Sequence, residues 1–348
     1  MPVRSLYIHV GLPKTGSSAI QRFLVDNRDA LLAAGLGLGP YLTLPSGKSA
    51  ALRRAIADEG LPAVMAALAA SPGDSIAISS EQLSSILFEA PAEAEALRDA
   101  ALPHFRPVVV VFLRRQDYWH ESLYAQQVKT SYADTIEAYT EMMLGKYPGD
   151  FDFDACLGRL ERVFGPDNIR VRLYRDAGPN DVIADFLSAL DLDRLDLASA
   201  RGVGRQNESP HRRKILFLSR VPKPDPAVQD LAAHMTQIVE KTGAIADDGQ
   251  RFLLPPALRH RLVAANEAGN RALVARYGLP DDGHFTAAPG PADAGPNEAG
   301  WSPPAPITPA ERRAVLGQAL VAAARLRGHP RYRLRIAGKV AALYSRMR

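Results

Sequence analysis

Short, mostly apolar segments alternate with amphipathic ones through the first two hundred residues, and this alternation predicts an α/β fold. The segments 6–10, 75–79 and 108–113 have the length and composition of strands that are covered on both faces of a parallel sheet. Between them, apolar residues recur every three or four positions, as in helices that pack one face against a sheet. We therefore expect a central parallel sheet flanked by helices, with a helical extension at the C-terminal end of the chain.

The spacing of apolar residues and the positions of capping residues predict where individual helices begin and end. One helix is expected over 18–34 and should end at Gly35, because glycine favours the left-handed conformation that follows many helices. A second long helix is expected over 256–277. A shorter helix is expected to begin with Ser79 or Ser80 as its N-cap.

Residues 284–306 are rich in proline, glycine and alanine and have no core pattern, which predicts a linker. The linker separates an α/β domain with helical insertions at 1–283 from a basic helical tail at 307–348. The tail has ten Lys and Arg side chains and one acidic side chain, Glu311, whereas the whole chain has a net charge of only +4. The basicity therefore belongs to the tail and gives no reason to expect nucleic acid as a partner.

The last part of the tail, 332–347, has apolar residues on one helical face and Arg and Lys on the other. Such a basic amphipathic helix suits the surface of an anionic membrane or an acidic partner. A helix that packs on its own domain and leaves its basic face in water fits the pattern equally well.

The first strand is followed by a loop whose residues are typical of phosphate binding. The strand 6–10 stops at Gly11, and a loop rich in Gly, Lys, Thr and Ser leads into a helix, an arrangement that points backbone N–H groups at an anion. The loop nearly matches the nucleotide-binding pattern GxxxxGK[ST], but its lysine is Lys14, and Ser17 stands where the pattern has lysine. This departure argues against an ordinary Mg²⁺-dependent NTPase. The alternative is a glycine turn with a solvated lysine.

A second candidate phosphate site follows the strand at 108–113. Arg114 ends this strand, and Ser122 lies eight residues further on, about one turn into the next helix. A guanidinium group and a hydroxyl in these positions can hold one phosphate from two sides. Arg115 is the alternative to Arg114, because a strand that ends one residue later would put Arg115 at its tip. The alternative is surface charge at a helix N-terminus.

Two residues are candidates for a general base. Glu81 lies just after the strand at 75–79, at the edge of the sheet where ligands bind in open α/β folds. A glutamate in the first turn of a helix, favoured by the helix dipole, is an equally good physical explanation. His120 ranks below Glu81, because a histidine beside Trp119 in a helix is more typical of packing. His9, within the first strand, is expected to be a core histidine.

These motifs resemble those of sulfotransferases that use PAPS (3′-phosphoadenosine 5′-phosphosulfate). The hexapeptide that resembles their 5′-phosphosulfate loop is Pro13-Lys14-Thr15-Gly16-Ser17-Ser18. Arg114 and Ser122, eight residues apart, resemble their 3′-phosphate site. The resemblance covers roughly residues 4–220 and implies a three-layer P-loop NTPase-like fold.

The resemblance also implies a reaction and roles for these residues. PAPS would be the co-substrate, no metal would be needed, and the sulfuryl group would pass to a hydroxyl of an acceptor. The donor would be bound by Pro13, Lys14, Thr15, Gly16, Ser17, Ser18, Arg114 and Ser122. Lys14 would stabilise the bridging oxygen, and Glu81 would take the proton, because several sulfotransferases have a catalytic glutamate near this loop. His120 remains the lower-ranked alternative for this role. A glycan or glycolipid precursor is the first choice of acceptor, because bacterial relatives commonly modify glycans.

Composition limits the remaining possibilities. The 348 residues are 47% hydrophobic and 23% charged, as is usual for a globular protein that is not embedded in a membrane. The one cysteine, Cys156, excludes an internal disulfide and a cysteine-based metal cluster. The early first strand leaves no room for a secretory signal, so we expect a cytoplasmic protein. Its richness in Ala and Arg indicates a bacterial source, and the basic tail at 307–348 is the reason to expect peripheral contact with the inner membrane face. The alternatives are a P-loop kinase-like phosphotransferase and a non-catalytic nucleotide-binding protein docked at the membrane.

Overall fold

The computed structural model describes most of the chain, namely residues 3–42, 50–175, 182–192, 210–221, 229–281, 283–286 and 301–325. Its strands are β1 (Ser5–Val10), β2 (Leu36–Leu38), β3 (Ser75–Ser80), β4 (Arg106–Leu113) and β5 (Ile169–Leu173). The first helices are α1 (Ser17–Asp26), α2 (Arg28–Ala33), α3 (Ala50–Glu59), α4 (Leu61–Ala69), α5 (Leu83–Glu89), α6 (Pro91–Ala101), α7 (Gln116–Thr130) and α8 (Ile136–Lys146). The later ones are α9 (Phe153–Phe164), α10 (Val182–Ala189), α11 (Arg212–Ser219), α12 (Gln229–Lys241), α13 (Pro256–Ala264), α14 (Glu267–Tyr277) and α15 (Pro309–Arg325).

The described strands form one parallel sheet in the order β2-β3-β1-β4-β5. The central strand β1 pairs with β3 from Ser5 opposite Ser75, and with β4 from Ser5 opposite Arg106. The residues that follow β1, β3 and β4 therefore leave the sheet at the same edge, which is the ligand-binding edge of such sheets. The predicted α/β class, with a central parallel sheet flanked by helices, is confirmed.

Both faces of the sheet are covered. On one face, side chains of β1 and β4 pack with α1, α2 and α10 in a buried apolar cluster that includes Tyr7, Ile20, Phe23, Val110, Phe112, Ile183 and Phe186. The alternate β1 residues Leu6, Ile8 and Val10 are fully buried on the other face. Seven of the eight residues of β4 are buried. This double burial explains why the strands are apolar rather than alternating.

Two helices that the sequence predicts as continuous are broken. The segment 18–34 forms α1 and α2, because Asn27 leaves helical geometry with a φ of −117°. Its side-chain amide and its backbone N–H both donate to the Phe23 carbonyl and so end α1, as asparagine side chains can. The segment 256–277 likewise forms α13 and α14. Gly35 has a φ of +88° after α2, as predicted.

The N-cap predicted at Ser79 or Ser80 is wrong. Both serines belong to β3, and the helix α5 begins at Leu83 with Gln82 as its N-cap. The hydroxyl of Ser80 accepts a hydrogen bond of 3.2 Å from the Gln82 backbone N–H, so it caps a turn instead of a helix. Among the described helices, none combines the length and the hydrophobicity that a membrane span requires.

The chain forms two compact units. Unit 1 takes its residues from 1–119, 149–206 and 265–287, and unit 2 from 120–148, 207–264 and 288–348. Helix α7 supplies its first residues to unit 1 and the others to unit 2. The domain boundaries predicted from the composition of 284–306 stay a prediction.

Unit 2 contains two buried arginines that hold separate segments together. Arg212 is 1% exposed, pairs with Asp248 and donates to the carbonyls of Phe252 and Ser302. Arg213 pairs with Glu311 through two hydrogen bonds of 2.8 Å. Both arginines therefore have structural partners inside unit 2.

Hydrogen bonds stabilise the charged form of the Glu311 carboxylate more than burial destabilises it. Burial acts to raise its pKa, but hydrogen bonds from Arg213 and from the backbone N–H groups of Thr308 and Ala246 outweigh burial and hold the pKa at about 2 instead of 4.5. A carboxyl group with a lowered pKa stabilises the folded state above pH 4.5, and this contribution is lost as the pH falls toward 2.

We predict that Glu311→Gln lowers the free energy of unfolding of unit 2 by about 2–3 kcal/mol at pH 7, because Arg213 loses a charged partner. The difference from the wild type should be constant from pH 7 to 5 and should shrink as the pH falls below 4.5. Urea unfolding followed by circular dichroism measures it. Glu141→Gln is the control, since Glu141 pairs with Arg261 at the surface and should contribute less than about 1 kcal/mol. Equal losses of unfolding free energy in the two variants would contradict a special stabilising role for the Arg213–Glu311 pair.

Candidate functional site

The loop between β1 and α1 has an unusual backbone. Lys14 has a φ of +67° although it is not glycine, and Gly16 has a φ of +86° as the N-cap of α1. Left-handed residues within a turn direct successive N–H groups toward one concave side, where they form an anion-binding nest. A Cβ on Gly16 would lie 2.9 Å from Val182 Cγ2 and 3.2 Å from a Tyr174 ring carbon. Both the conformation and the space at position 16 therefore require glycine.

Side chains bind the carbonyl groups at the start of the loop. The Leu12 carbonyl accepts hydrogen bonds from the hydroxyls of Thr15 at 2.7 Å and Ser17 at 3.2 Å. The Pro13 carbonyl accepts from the indole N–H of Trp119 at 3.0 Å. Since the N–H of a trans peptide points opposite to its C=O, this contact turns the Lys14 N–H away from Trp119.

The amide groups at the end of the loop remain available for an anion. Ser17 and Ser18 open α1, where geometry leaves the N–H groups without a partner inside the helix. Within the part of the chain that the structure describes, no hydrogen bond is donated by the backbone N–H groups of Thr15, Gly16, Ser17 or Ser18. The Ser18 residue is exposed, whereas Ser17 is 2% exposed.

Glu81 lies against the first residue of the loop. It follows β3, and the Gly11 N–H donates to the Ser80 carbonyl at 3.2 Å. A Cβ on Gly11 would lie 2.9 Å from Ser17 Oγ and 3.2 Å from Glu81 Cγ. Gly11 therefore lies close to both the half-buried Glu81 side chain and Ser17 at the start of α1. A larger residue at position 11 would clash with them.

Arg114 also contacts the loop. Its Nη1 donates to the Lys14 carbonyl at 3.0 Å, and its guanidinium group lies 5.3 Å from the centre of the Tyr174 ring. Its neighbour Arg115 is 7% exposed, forms two hydrogen bonds with the fully buried Asp117 and donates to the His284 carbonyl. Arg115 therefore has a structural role in unit 1, and the accessible guanidinium at the tip of β4 is that of Arg114.

The two other residues that the sequence singled out in α7 belong to unit 2. His120 is fully buried, its Nε2 is 2.8 Å from the Thr140 hydroxyl, and its ring stacks on Tyr139. Ser122 is 9% exposed. The joint binding of one phosphate by Arg114 and Ser122 stays a prediction.

His9 belongs to the core, as expected. It is fully buried between the rings of Phe112 and Phe186, and its Nδ1 is 2.7 Å from the Ser79 hydroxyl. Burial lowers the pKa of His9 from 6.5 to about 3, so the ring is neutral at physiological pH. A neutral histidine in this position supports the packing beneath the loop.

Sequence reasoning missed three residues near the loop. Trp119 and Tyr174 contact it directly, and Gln21 lies one helical turn after Ser17 with a side chain that is 2% exposed. The Gln21 amide nitrogen is buried and has no hydrogen-bond partner among the described residues. Tyr174 alone had a usable signal, because it is the first residue after β5 and therefore leaves the sheet at the ligand-binding edge.

Comparison with known proteins adds little to this geometry. No family model matches the chain. A segment of 87 residues is 40% identical to an uncharacterized protein of Archaeoglobus fulgidus, and the match covers 24% of this chain and 22% of that protein. The crystal structure of a sulfotransferase from Alicyclobacillus acidocaldarius aligns with a TM-score of 0.39 and 19% identity, over 66% of this chain and 96% of that one. The chain thus spans about a fifth of the archaeal relative, and its own loop and sheet remain the basis for assigning a function.

Proposed function

We propose that this protein is a sulfotransferase that moves the sulfuryl group of PAPS to a hydroxyl group of an acceptor. The observation that supports the proposal most is the β1–α1 loop, which lies against the Glu81 side chain. It combines Lys14 with the backbone N–H groups of residues 15–18, which donate no hydrogen bond to any described residue. A doubly charged phosphosulfate needs N–H donors and a cation at one place, and the loop offers both.

In this proposal the loop binds the 5′-phosphosulfate end of the donor. The backbone N–H groups of residues 14–18 and the exposed Ser18 hydroxyl donate hydrogen bonds to its oxygens. The Lys14 ammonium group lies in the same loop and stabilises the negative charge on the bridging oxygen when the S–O bond breaks. Arg114 and Ser122 bind the 3′-phosphate, the group that distinguishes PAPS from ATP.

Glu81 is the better candidate for the general base. Its side chain is half-buried beside the loop, whereas His120 is fully buried, stacked on Tyr139 and within hydrogen-bond distance of Thr140. The acceptor oxygen attacks the sulfur atom while Glu81 takes the proton of that hydroxyl. The new S–O bond forms as the old one breaks, and 3′-phosphoadenosine 5′-phosphate (PAP) leaves with the electron pair.

A phosphotransferase that uses ATP is the second candidate, because the loop resembles the GxxxxGK[ST] pattern. In that pattern a lysine would stand at position 17, but Ser17 is buried and donates to the Leu12 carbonyl. This arrangement favours a donor whose charge is met by Lys14 and N–H groups without a bound Mg²⁺. A non-catalytic nucleotide-binding protein is the third candidate.

The acceptor that we favour is a saccharide hydroxyl on a glycan or glycolipid precursor. The cytoplasmic location, and the contact of the basic tail with the inner membrane face, stay predictions. The helix at 332–347, on which the membrane contact depends, lies outside the described residues.

We predict that Lys14→Ala lowers kcat by about 10²–10³-fold, because the leaving oxygen loses its cation. Transfer from radiolabelled PAPS to a panel of glycan extracts measures the effect and identifies the acceptor. Arg22→Ala is the matched control, since Arg22 lies on α1 at the surface and pairs with Asp26. Unchanged turnover in Lys14→Ala would rule out the proposed role of the loop.

We predict that Glu81→Gln lowers kcat by about 10²–10⁴-fold but leaves the affinity for PAP nearly unchanged, since a general base acts on the acceptor and not on the nucleotide. Calorimetric titration with PAP provides the second readout. His120→Gln, checked for folding by its melting temperature, should retain most of the activity. Full activity in Glu81→Gln would show that another group takes the proton.

Competition separates the two enzymatic candidates. A sulfotransferase should bind PAP in the absence of Mg²⁺, and a large excess of ATP should displace it poorly, because ATP has no 3′-phosphate. Fluorescence competition with labelled PAP measures this difference. Tighter binding of Mg²⁺–ATP than of PAP would favour the kinase-like alternative.

A further inference from the structure

Lys14 occupies a backbone conformation that needs support. For a residue with a Cβ, a φ of +67° is a strained conformation compared with the ordinary right-handed and extended ones. The strain persists only where surrounding contacts hold the residue in place. The contacts around Lys14 are therefore informative about how the loop is kept ready for its ligand.

Arg114 and Tyr174 provide such contacts. The Arg114 Nη1 donates to the Lys14 carbonyl at 3.0 Å, and the guanidinium group lies over the Tyr174 ring at 5.3 Å. The Tyr174 ring in turn lies 3.2 Å from the position of a Cβ on Gly16. The Tyr174 backbone N–H donates to the Leu113 carbonyl at 2.7 Å, which fixes it beside the residue that precedes Arg114.

These contacts connect four residues of or beside the loop, namely Lys14, Arg114, Tyr174 and Gly16. We call this set of contacts the Arg114–Tyr174 brace. Lys14 is held by Arg114, Arg114 by Tyr174, and Tyr174 packs against Gly16. The guanidinium group carries five N–H donors, and the bond to Lys14 uses one of them. A role in the brace is therefore compatible with a contact between Arg114 and a phosphate.

We infer that Arg114 and Tyr174 are positioning residues that hold the Lys14 backbone in its left-handed conformation, so that Arg114 organises the 5′ site as well as binding the 3′-phosphate. The inference rests on the proposed function for the choice of nucleotides as ligands. The contacts that form the brace do not depend on that function. Its consequence is that loss of the brace weakens the binding of nucleotides that have no 3′-phosphate at all.

Two nucleotides test this inference by calorimetric titration. ADP has the 5′-diphosphate but lacks the 3′-phosphate, whereas PAP has the 3′-phosphate. Arg114→Ala should weaken ADP binding about 10-fold and PAP binding more strongly, and Tyr174→Leu should weaken both by about the same factor. Tyr174→Phe keeps the ring and should bind like the wild type. Arg106→Ala is the matched control, because Arg106 is exposed at the opposite end of β4.

The inference is overturned if Arg114→Ala and Tyr174→Leu bind ADP as the wild type does. In that case Arg114 would act only on the 3′-phosphate. A different result would contradict the proposed function, namely a wild type that does not bind PAP more tightly than ADP. The ADP affinities of the wild type and the two variants could still be compared in that case.

A measurement without nucleotide tests the brace independently. Trp119 donates to the Pro13 carbonyl and is 6% exposed, so acrylamide should quench its fluorescence weakly while the loop is in place. The other tryptophan of the chain is Trp301, and Trp301→Phe isolates the signal. In this background, Tyr174→Leu should at least double the quenching constant of Trp119, and Tyr174→Phe should not. An unchanged constant in Tyr174→Leu would contradict the brace even if no nucleotide binds.

Discussion

The parallel pairing of β1 with both of its neighbours is the constraint on which the candidate site depends. Because β3 and β4 run in register with β1, the residues after all three strands leave the sheet at one edge. Gly11, Glu81 and Arg114 are far apart in sequence, yet each follows one of these strands. Burial of the strands on both faces fixes their register, and the site follows from that register.

In the loop after β1, the backbone carbonyl groups and the backbone N–H groups differ in their hydrogen bonding. The Leu12, Pro13 and Lys14 carbonyls accept hydrogen bonds from side chains, whereas the N–H groups of residues 15–18 donate none within the described part of the chain. A loop organised in this way presents positive charge before a ligand arrives, so little reorganisation is needed on binding. Preorganised charge suits sulfuryl transfer, in which the protein acts mainly by positioning and electrostatics.

The sequence predicted those features that depend on local composition and on the alternation of strands and helices. It located β1 and β4 to within two residues and placed Glu81 at the ligand-binding edge. It missed β2, because three residues carry too short a pattern, and it missed the break at Asn27, which depends on one side-chain hydrogen bond. The contacts of Trp119 and Tyr174 with the loop join residues more than one hundred positions apart and depend on rotamers, which no local pattern encodes.

A crystal structure of the protein with PAP tests the central claim most directly. The account predicts that the 5′-phosphate accepts hydrogen bonds from the backbone N–H groups of residues 14–18, and that the 3′-phosphate of the same molecule lies within hydrogen-bond distance of Arg114. PAP bound away from the β1–α1 loop, or bound there with its 3′-phosphate far from Arg114, would contradict it.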